Sequence, residues 1–463
     1  MLLATNAVAE LRARLNSRVI TPADADYDMA RTVFNGGVDR RPAAIVRVAS
    51  ADDVARVVSL ARKTGLGLAI RSGGHSVAGH SVTEGGIVLD LSQMRALQID
   101  AQRRTAWAET GLTAGAYTNA TATYGLATGF GDTRSVGIGG LTLGGGIGYL
   151  VRKHGLTIDD LLAAEIVTAD GRLLRADAES HPDLFWAIRG GGGNFGVATR
   201  LQFRLHELDT IVGGVLILPA TPDVIAGFIA AAEAAPDELS AIANIMIAPP
   251  LPTLPKVVHG KPILQATLVY AGEVANGERA LASFRALAAP VADMMGPMRY
   301  RDIYPPEAGE YHPVLVARTL FMEQVDRSVA ATILDHLQAP TGLSAVAQLR
   351  VLGGAMARVP ADATAFGHRR SKIMAALFGL YERPEEQPVH EAWAAGFVAA
   401  LRQGDAGAYV NFLGDEGEAR VRAAYPGSTW ERLVAIKRRY DPANLFRLNQ
   451  NISPGARGSG NRE

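Results

Sequence analysis

The chain has 463 residues, with 46 basic and 46 acidic side chains, no cysteine and 48% apolar content. A length about three times that of a typical domain implies two domains, or one large α/β body with an insertion. The even charge excludes a broad basic face for nucleic acid or anionic membrane, and zero cysteine excludes disulfides, Cys-ligated zinc, iron–sulfur clusters and thiol nucleophiles.

In chain order, Met1 to Arg18 holds no basic region followed by an apolar run and a small-residue cleavage site, so no signal peptide is expected. Ala44 to Val48 is a β-branched strand. Ser50 offers an N-cap, Asp52 and Asp53 suit a first turn, and Val54 to Lys63 has helical spacing that Gly65 stops. Strands at Leu68 to Ile70, Ile87 to Leu91 and Ala106 to Glu109 precede a helix from Thr113 to Tyr124. Leu161 to Ala169 and Leu173-Leu174 read as strands joined by an Asp170-Gly171 hairpin turn. A short helix, His181 to Ile188, and an alternating strand, Val197 to Leu205, follow. Ile211 to Pro236, the most apolar stretch, is broken by Pro219, Pro222 and Asp223 and makes a poor membrane span; a soluble, cytoplasmic protein is expected. Beyond Glu207 glycine thins while alanine and proline rise. Helices at Ala226 to Ala235, Glu278 to Ala289 and Glu391 to Leu401 are expected among strands at Pro262 to Tyr270, Ile373 to Leu380 and Tyr409 to Leu413. The tail from Gly455 to Glu463 reads as disordered.

The 50 glycines concentrate before residue 200, and seven of the twelve residues from Gly137 to Gly148 are glycine. Such density costs backbone entropy. Ile138, Leu141, Leu143 and Ile147 are interleaved with it and imply burial, which favours a closely approaching cofactor over a flexible linker. Gly191 to Gly196 matches G-x-G-x-x-G, but a helix precedes it and a strand follows, the reverse of the dinucleotide fingerprint. A Rossmann site is therefore rejected, and no G-x-x-x-x-G-K-[ST] supports a triphosphatase. Arg71-Ser72-Gly73-Gly74-His75-Ser76, with Gly79-His80, is sharper: paired glycines let successive N–H groups converge on phosphate, and Arg71 adds charge. His75 directly follows the turn. A lone histidine in such a loop is ordinarily a turn residue; two further glycine-rich loops raise its standing. The ten histidines show no H-x-x-x-H or H-E-x-x-H spacing, so no metal site is expected. His154 reads as solvent-facing, Asp159-Asp160 as a helix cap and Glu385-Glu386 as a solvated loop.

The R-S-G-G-H-S run, the stretch Gly137 to Leu156, Asp183 to Val197, the terminal Tyr440 to Arg447 with Gln450-Asn451-Ile452, and Asp26-Tyr27 to Arg41-Pro42 together resemble a known family. They look like the berberine bridge enzyme-like branch of the vanillyl-alcohol oxidase superfamily of FAD-linked oxidases, and the resemblance covers nearly the whole chain. It implies an α+β, two-domain PCMH-type FAD-binding fold. Residues 1–206 would form the FAD domain, 207–404 an antiparallel-sheet substrate domain roofing the flavin, and 405–463 a C-terminal return to the FAD domain.

The resemblance also implies site residues. His75 would carry FAD through a bond to the flavin 8α-methyl carbon, which raises the flavin's potential and fixes the ring against the substrate pocket. Thr133 stands where many members have a second, cysteine tether, so one bond is expected, which argues against an oligosaccharide oxidase. Leu141 replaces a histidine of some members. Cofactor contacts are implied at Arg71, Ser72, Gly73, Gly74, Ser76, Gly79 and His80. In the second loop they fall at Thr133, Val136, Gly137, Gly139, Gly140, Gly144, Gly146, Ile147 and Gly148, whose N–H groups would face the phosphates and the N1–C2 edge of the ring. Asn194, Gly196, Val197, Asn449 and Asn451 complete the set. Val136 matches a small aliphatic position that leaves space for dioxygen, which favours an oxidase.

The family commonly uses a tyrosine or glutamate base near the end of the substrate domain, and Tyr409 with Asn411 falls there. On a strand, period-two alternation puts both on one face; a packed core tyrosine is the competing reading, and a lowered phenol pKa would favour the base. The partners implied are a small organic substrate (an alcohol, amine or aromatic, alkaloid-like compound, suited to Tyr300, Tyr304 and Tyr311) and dioxygen reduced to hydrogen peroxide. A flavin dehydrogenase or biosynthetic oxygenase on the same scaffold, and a catalytically silent flavin-binding protein, are the rival readings. Neither nucleic acid nor membrane is implied, and the oligomeric state is not assigned.

Overall fold

A computed structural model describes residues 2–15, 18–250, 252, 254–305, 312–338, 344–404 and 407–455. Tyr311 and the tail expected to be disordered beyond Gly455 lie outside the described residues. The first sheet contains β1 (Arg18–Ile20), β2 (Ala44–Arg47), β3 (Leu68–Arg71) and β4 (Ile87–Asp90) in the order β1-β2-β4-β3. Both β2 and β3 run parallel to β4. Parallel strands need a crossover, and helix Ala51–Thr64 supplies it between β2 and β3. The Ser50 hydroxyl accepts the Asp53 N–H at 3.2 Å to start this helix, and Gly65 at φ +73° ends it. Val54, Val57, Val58, Leu60 and Ala61 form its buried stripe.

The second sheet is antiparallel: β5 (Leu97–Asp100), β6 (Thr105–Glu109), β7 (Leu161–Val167), β8 (Leu173–Asp177) and β9 (Val197–Arg204), ordered β5-β6-β9-β7-β8. The β7–β8 hairpin turns at Asp170-Gly171, where Gly171 takes φ +83°.

The third sheet is antiparallel and larger. It comprises β10 (Thr210–Pro219), β11 (Leu239–Ile247), β12 (Pro262–Tyr270), β13 (Ala292–Asp293), β14 (Gly296–Arg299), β15 (Val314–Met322), β16 (Ser344–Val351) and β17 (Ile373–Tyr381). The order is β13-β10-β12-β11-β16-β17-β15, with β14 beside β10. Helices Pro222–Ala234, Val274–Arg285, Arg327–Gln338 and Gln387–Leu401 contribute to the core on one face. Smaller clusters join strand residues such as Ile242, Val269 and Met374 to Tyr149, Leu150, Ile147 and Val151, seating the sheet on the glycine-rich loop. Helix Pro222–Ala234 starts four residues earlier than its apolar spacing suggests, because Thr221 caps it and Pro222 occupies the first turn.

Residues 407–455 return to the second sheet: Ala408, Val410, Leu413 and Leu433 share a core with Ala106, Ala164 and Leu201. The strand expected at Tyr409 to Leu413 is instead one extended residue followed by a 3₁₀ turn, Val410–Phe412. The Tyr409 N–H is taken by the Thr319 hydroxyl at 3.0 Å, and the Phe412 N–H folds back onto the Tyr409 carbonyl, so no sheet ladder recruits the segment. No described helix is long and apolar enough to cross a membrane.

Candidate active site

A cavity of about 390 Å³ lies between the loops of the first two sheets and the underside of β16 and β17. Its floor begins at β3, whose last residue, Arg71, is opposite Asp90 in register and bonds its carboxylate at 3.2 Å. This buried pair fixes where the first loop starts. Gly73 and Gly137 then pack backbone against backbone, and a Cβ on either would overlap the other's amide. The Ser72 hydroxyl donates to the Thr110 carbonyl at 2.5 Å. His75 therefore arrives on a rigid support, its ring stacked on Phe34 at 4.6 Å and its Nε2 bonded to the Ser135 hydroxyl at 2.9 Å. His80 also lines the cavity, and burial, with Arg40 nearby, lowers its pKa to about 4, so its imidazole is neutral at ordinary pH.

The second loop carries positive φ at Gly145 and Gly146, which turns two successive N–H groups the same way. Both reach the Tyr409 hydroxyl oxygen, from Gly146 at 2.9 Å and from Ile147 at 3.2 Å. A third donor is the Asn411 carboxamide at 2.9 Å, whose orientation is fixed because the same nitrogen also donates to the Leu141 carbonyl. Tyr409 and Asn411 thus meet through a turn rather than on one strand face. Burial raises the Tyr409 pKa; the bonds from Asn411, Gly146 and Ile147 and the charge of Arg350 oppose that rise without reversing it. The direction is opposite to the lowered value that would mark a ready phenolate.

The roof is built from side chains that alternate along β16. Ala347, Leu349 and Val351 enter the sheet core, while Gln348 and Arg350 face the cavity. Arg350 is held by Gln348 at 2.9 Å, the Ile147 carbonyl at 3.0 Å and Asp132 at 2.5 Å, and its guanidinium lies 5.1 Å over the Phe412 ring. Gln348 in turn donates to Asn244 on β11. One buried arginine therefore ties the third sheet to both ends of the glycine-rich loop.

The third loop is clamped from behind. Lys437, fully buried, donates to Asp441 at 2.7 Å and to the carbonyls of Asn194 and Phe446 at 2.8 and 2.9 Å. The Asn194 side chain accepts from Ile452 N–H and donates to Gly191 and Gln450 carbonyls. The terminal motif acts here as a brace for the loop at Gly191 to Gly196.

Of the residues expected at the site, Ser72, Gly73, Gly74, His75, Ser76, His80, Thr133, Val136, Gly137, Gly139, Gly140, Ile147, Asn194, Gly196, Val197, Tyr409, Asn411 and Asn449 all line the cavity. Arg71, Gly79, Gly144, Gly146, Gly148 and Asn451 are not among its lining residues. Arg71 is spent on Asp90 and the Thr32 carbonyl. Gly144 and Gly148 are glycine because a Cβ would strike Asn411 and the Phe130 carbonyl, and Gly79 because a Cβ would crowd Val38. Several N–H groups expected to face a cofactor are already used: those of Gly146 and Ile147 by Tyr409, and that of Gly145 by Thr142.

Tyr300 and Tyr304 sit in a buried cluster with Tyr149 rather than on the cavity wall; Phe34, Phe378, Phe412 and Phe446, with Tyr409, provide the aromatic surface there. His154 does not face solvent but stacks on His206 at 3.7 Å; burial first, then His206 and Lys153, lower its pKa to about 3. Asp159 does accept the Leu156 N–H in a cap, and it also holds Arg369 in a bidentate pair. Phe34, Ser135, Gln348, Arg350 and Phe378 were missed. Only β16 carried a readable signal, polar Gln348 and Arg350 two apart among apolar neighbours.

Two observations fit this cavity to a large ligand. A Cβ at Gly140, which is exposed, or at half-buried Gly193 would meet no protein atom within 4 Å, so the chain leaves open space at these two lining positions. His80 Nε2 and Asn449 Oδ1, both on lining residues, are buried with no hydrogen-bond partner among the described residues.

Comparison with known proteins gives the ligand a family. Residues 42–177 match the model of an FAD binding domain, and 408–453 match one described as berberine and berberine like. The chain is 30% identical to (R)-6-hydroxynicotine oxidase of Paenarthrobacter nicotinovorans, over 95% of this chain and 97% of that one. Crystalline 6-hydroxy-D-nicotine oxidase from Arthrobacter nicotinovorans superposes with a TM-score of 0.85 at 27% identity, covering 95% of this chain and 98% of the other. Glucooligosaccharide oxidase from Acremonium strictum, which has a 6-S-cysteinyl, 8α-N1-histidyl FAD, shares the fold with a TM-score of 0.85 at 24% identity, over 98% of this chain and 100% of the other. By sequence and fold alike, this chain belongs to the berberine bridge enzyme-like family of FAD-linked oxidoreductases.

Proposed function

We propose that the chain carries FAD on a single covalent bond to His75 and oxidises a small organic substrate, an alcohol, amine or aromatic compound, with dioxygen reduced to hydrogen peroxide. The division of labour follows the proposed domains: 1–206 with 405–463 for the cofactor, 207–404 for the substrate. FAD supplies the hydride acceptor and the route of electrons to dioxygen. The observation that carries the reading is the placement of His75, a cavity-lining imidazole held between Phe34 and Ser135 at the meeting of two glycine-rich loops. Thr133 lines the same cavity and offers no thiol, which limits the tether to one bond.

Tyr409 is the proposed base. Its oxygen already has three N–H donors that would hold a phenolate, so the reactive form is the ionised one. Arg350, paired with Asp132, keeps a fixed positive charge nearby. Phe378 and Phe412 give the substrate an apolar aromatic wall, in keeping with a relative named as an oxidase of 6-hydroxynicotine.

The deciding experiment is to unfold the purified protein in acid, wash it, and weigh it. Yellow colour and the mass of one FAD should stay with the polypeptide, and should be absent from His75→Ala. Colour that washes away from the unaltered protein removes the tether from this account. Peroxide release from a panel of alcohols, amines and aromatic compounds then separates an oxidase from a silent flavin carrier.

A further inference from the structure

Ser135, whose Oγ is bonded to His75 Nε2 at 2.9 Å, lies outside every motif that singled out the site. We infer that Ser135 is a positioning residue for covalent attachment, fixing which nitrogen of His75 meets the cofactor; this rests on the proposal that His75 is the tether. Attachment removes one hydrogen from the imidazole and one from the 8α-methyl group, forms one C–N bond, and passes two electrons to dioxygen, giving hydrogen peroxide. A neutral imidazole has one N–H and one lone pair, and the bond made by one nitrogen sets the role of the other. The geometry engages Nε2 with Ser135 and so leaves Nδ1 as the nitrogen to form the new bond; in the tautomer in which Ser135 accepts from Nε2–H, the lone pair lies on Nδ1.

Once Nδ1 is bonded to carbon, Nε2 gives up its proton and becomes an acceptor. A hydroxyl suits both stages, because the same oxygen first accepts from Nε2 and afterwards donates to it by rotating its own hydrogen. Phe34, stacked on the ring with an interplanar angle of 22°, limits rotation of the imidazole out of this arrangement. Ser135 sits two residues before Gly137, whose backbone packs against Gly73, so the hydroxyl and the imidazole belong to loops locked together.

The test uses flavin-free protein from flavin-limited expression, mixed with FAD in air. Bound flavin is measured by absorbance, and attached flavin by acid-stable colour and intact mass over time. Ser135→Ala and Ser135→Val should bind flavin as the parent does yet attach it about tenfold more slowly, or slower still. Ser135→Thr, which restores a hydroxyl on nearly the shape of valine, should attach it within about threefold of the parent rate. Attachment at the parent rate in the Ala or Val protein overturns the role of Ser135 while leaving His75 as the tether. If neither of those two binds flavin and Ser135→Thr does, the residue builds the pocket rather than steering the imidazole, and the inference fails. No attached flavin in the parent protein removes the tether itself, a result distinct from the other two.

Discussion

At the floor of the cavity, Gly73 and Gly137 touch through their backbones, and Gly140 and Gly193 leave room that nothing in the chain occupies. At the roof, Gln348, Arg350 and Phe378 project one by one from strands whose other faces are packed in the sheet core. The floor works by omission of side chains and the roof by their chemistry. The two should therefore respond to opposite kinds of substitution. Removing a single functional atom from the roof side should change rate and leave the cofactor in place. Adding a single methyl to the floor should change folding or flavin content and leave the intrinsic chemistry alone.

The largest effect expected from this contrast is at Tyr409, which reaches from β15, the neighbour of β17 in the roof's sheet, through Thr319, to the floor loop, through Gly146. Tyr409→Phe keeps the ring and removes the oxygen. Flavin reduction by substrate should slow by about 10²- to 10⁴-fold, with flavin content unchanged. The pH response sharpens the assignment. Because burial raises the phenol's pKa above its ordinary value of about 10, the phenolate is the minor species near neutrality. Its fraction grows as pH rises, so the rate of anaerobic flavin reduction should climb with pH and not level off below about pH 10. A flat profile, or Tyr409→Phe keeping the parent's profile, would mean that Tyr409 serves only to close the loop.

Next in size is Gly137→Ala at the floor. Gly137 has an ordinary φ of −68°, so backbone strain is not the issue; the added Cβ would occupy the space of the Ser72 hydroxyl and the Gly73 amide. Separating two backbone-packed loops should cost about 1–3 kcal/mol of stability, or more if neither loop yields. Thermal melting and flavin content should both fall. An unchanged melting point with full flavin would show that the two loops do not depend on their contact.

The same contrast explains what the sequence could disclose. The floor is written in contiguous runs, since a loop that approaches another backbone needs glycine at fixed neighbouring positions. Arg71 to Ser76, Gly137 to Gly148 and Gly190 to Gly196 were legible for that reason. Yet the runs alone did not show which glycines make way for the protein's own atoms and which do not: Gly144 makes way for Asn411, whereas Gly140 makes way for no protein atom. The roof is spread over separate strands whose order, β11-β16-β17, reflects long-range pairing. Ser135 and Phe34 likewise become site residues only when their loops close on His75. The Tyr409 segment had strand-like alternation, but the Thr319 hydroxyl took the N–H that a ladder would have used. The terminal motif read as a family signature, while its physical role, holding the buried Lys437 through Asp441 and Phe446 so that it braces the third loop, rests on contacts between distant segments.

The smallest expected effect cuts most finely between the two kinds of glycine. Gly140 sits inside the short helix Ile138–Leu143, and a Cβ there would meet nothing of the protein within 4 Å. Alanine is the better helix former, so Gly140→Ala should stabilise the flavin-free protein by up to about 1 kcal/mol. If the empty space is kept for the cofactor, the same methyl should weaken flavin binding, and the gain in melting temperature should shrink or reverse once FAD is added. Gly139, one residue earlier on the same helix, is the control, because its Cβ would press on Thr110 and Ser72. Gly139→Ala should therefore lower the melting temperature of the flavin-free protein as well. Equal behaviour of the two variants would erase the distinction between glycine kept for the fold and glycine kept for the ligand.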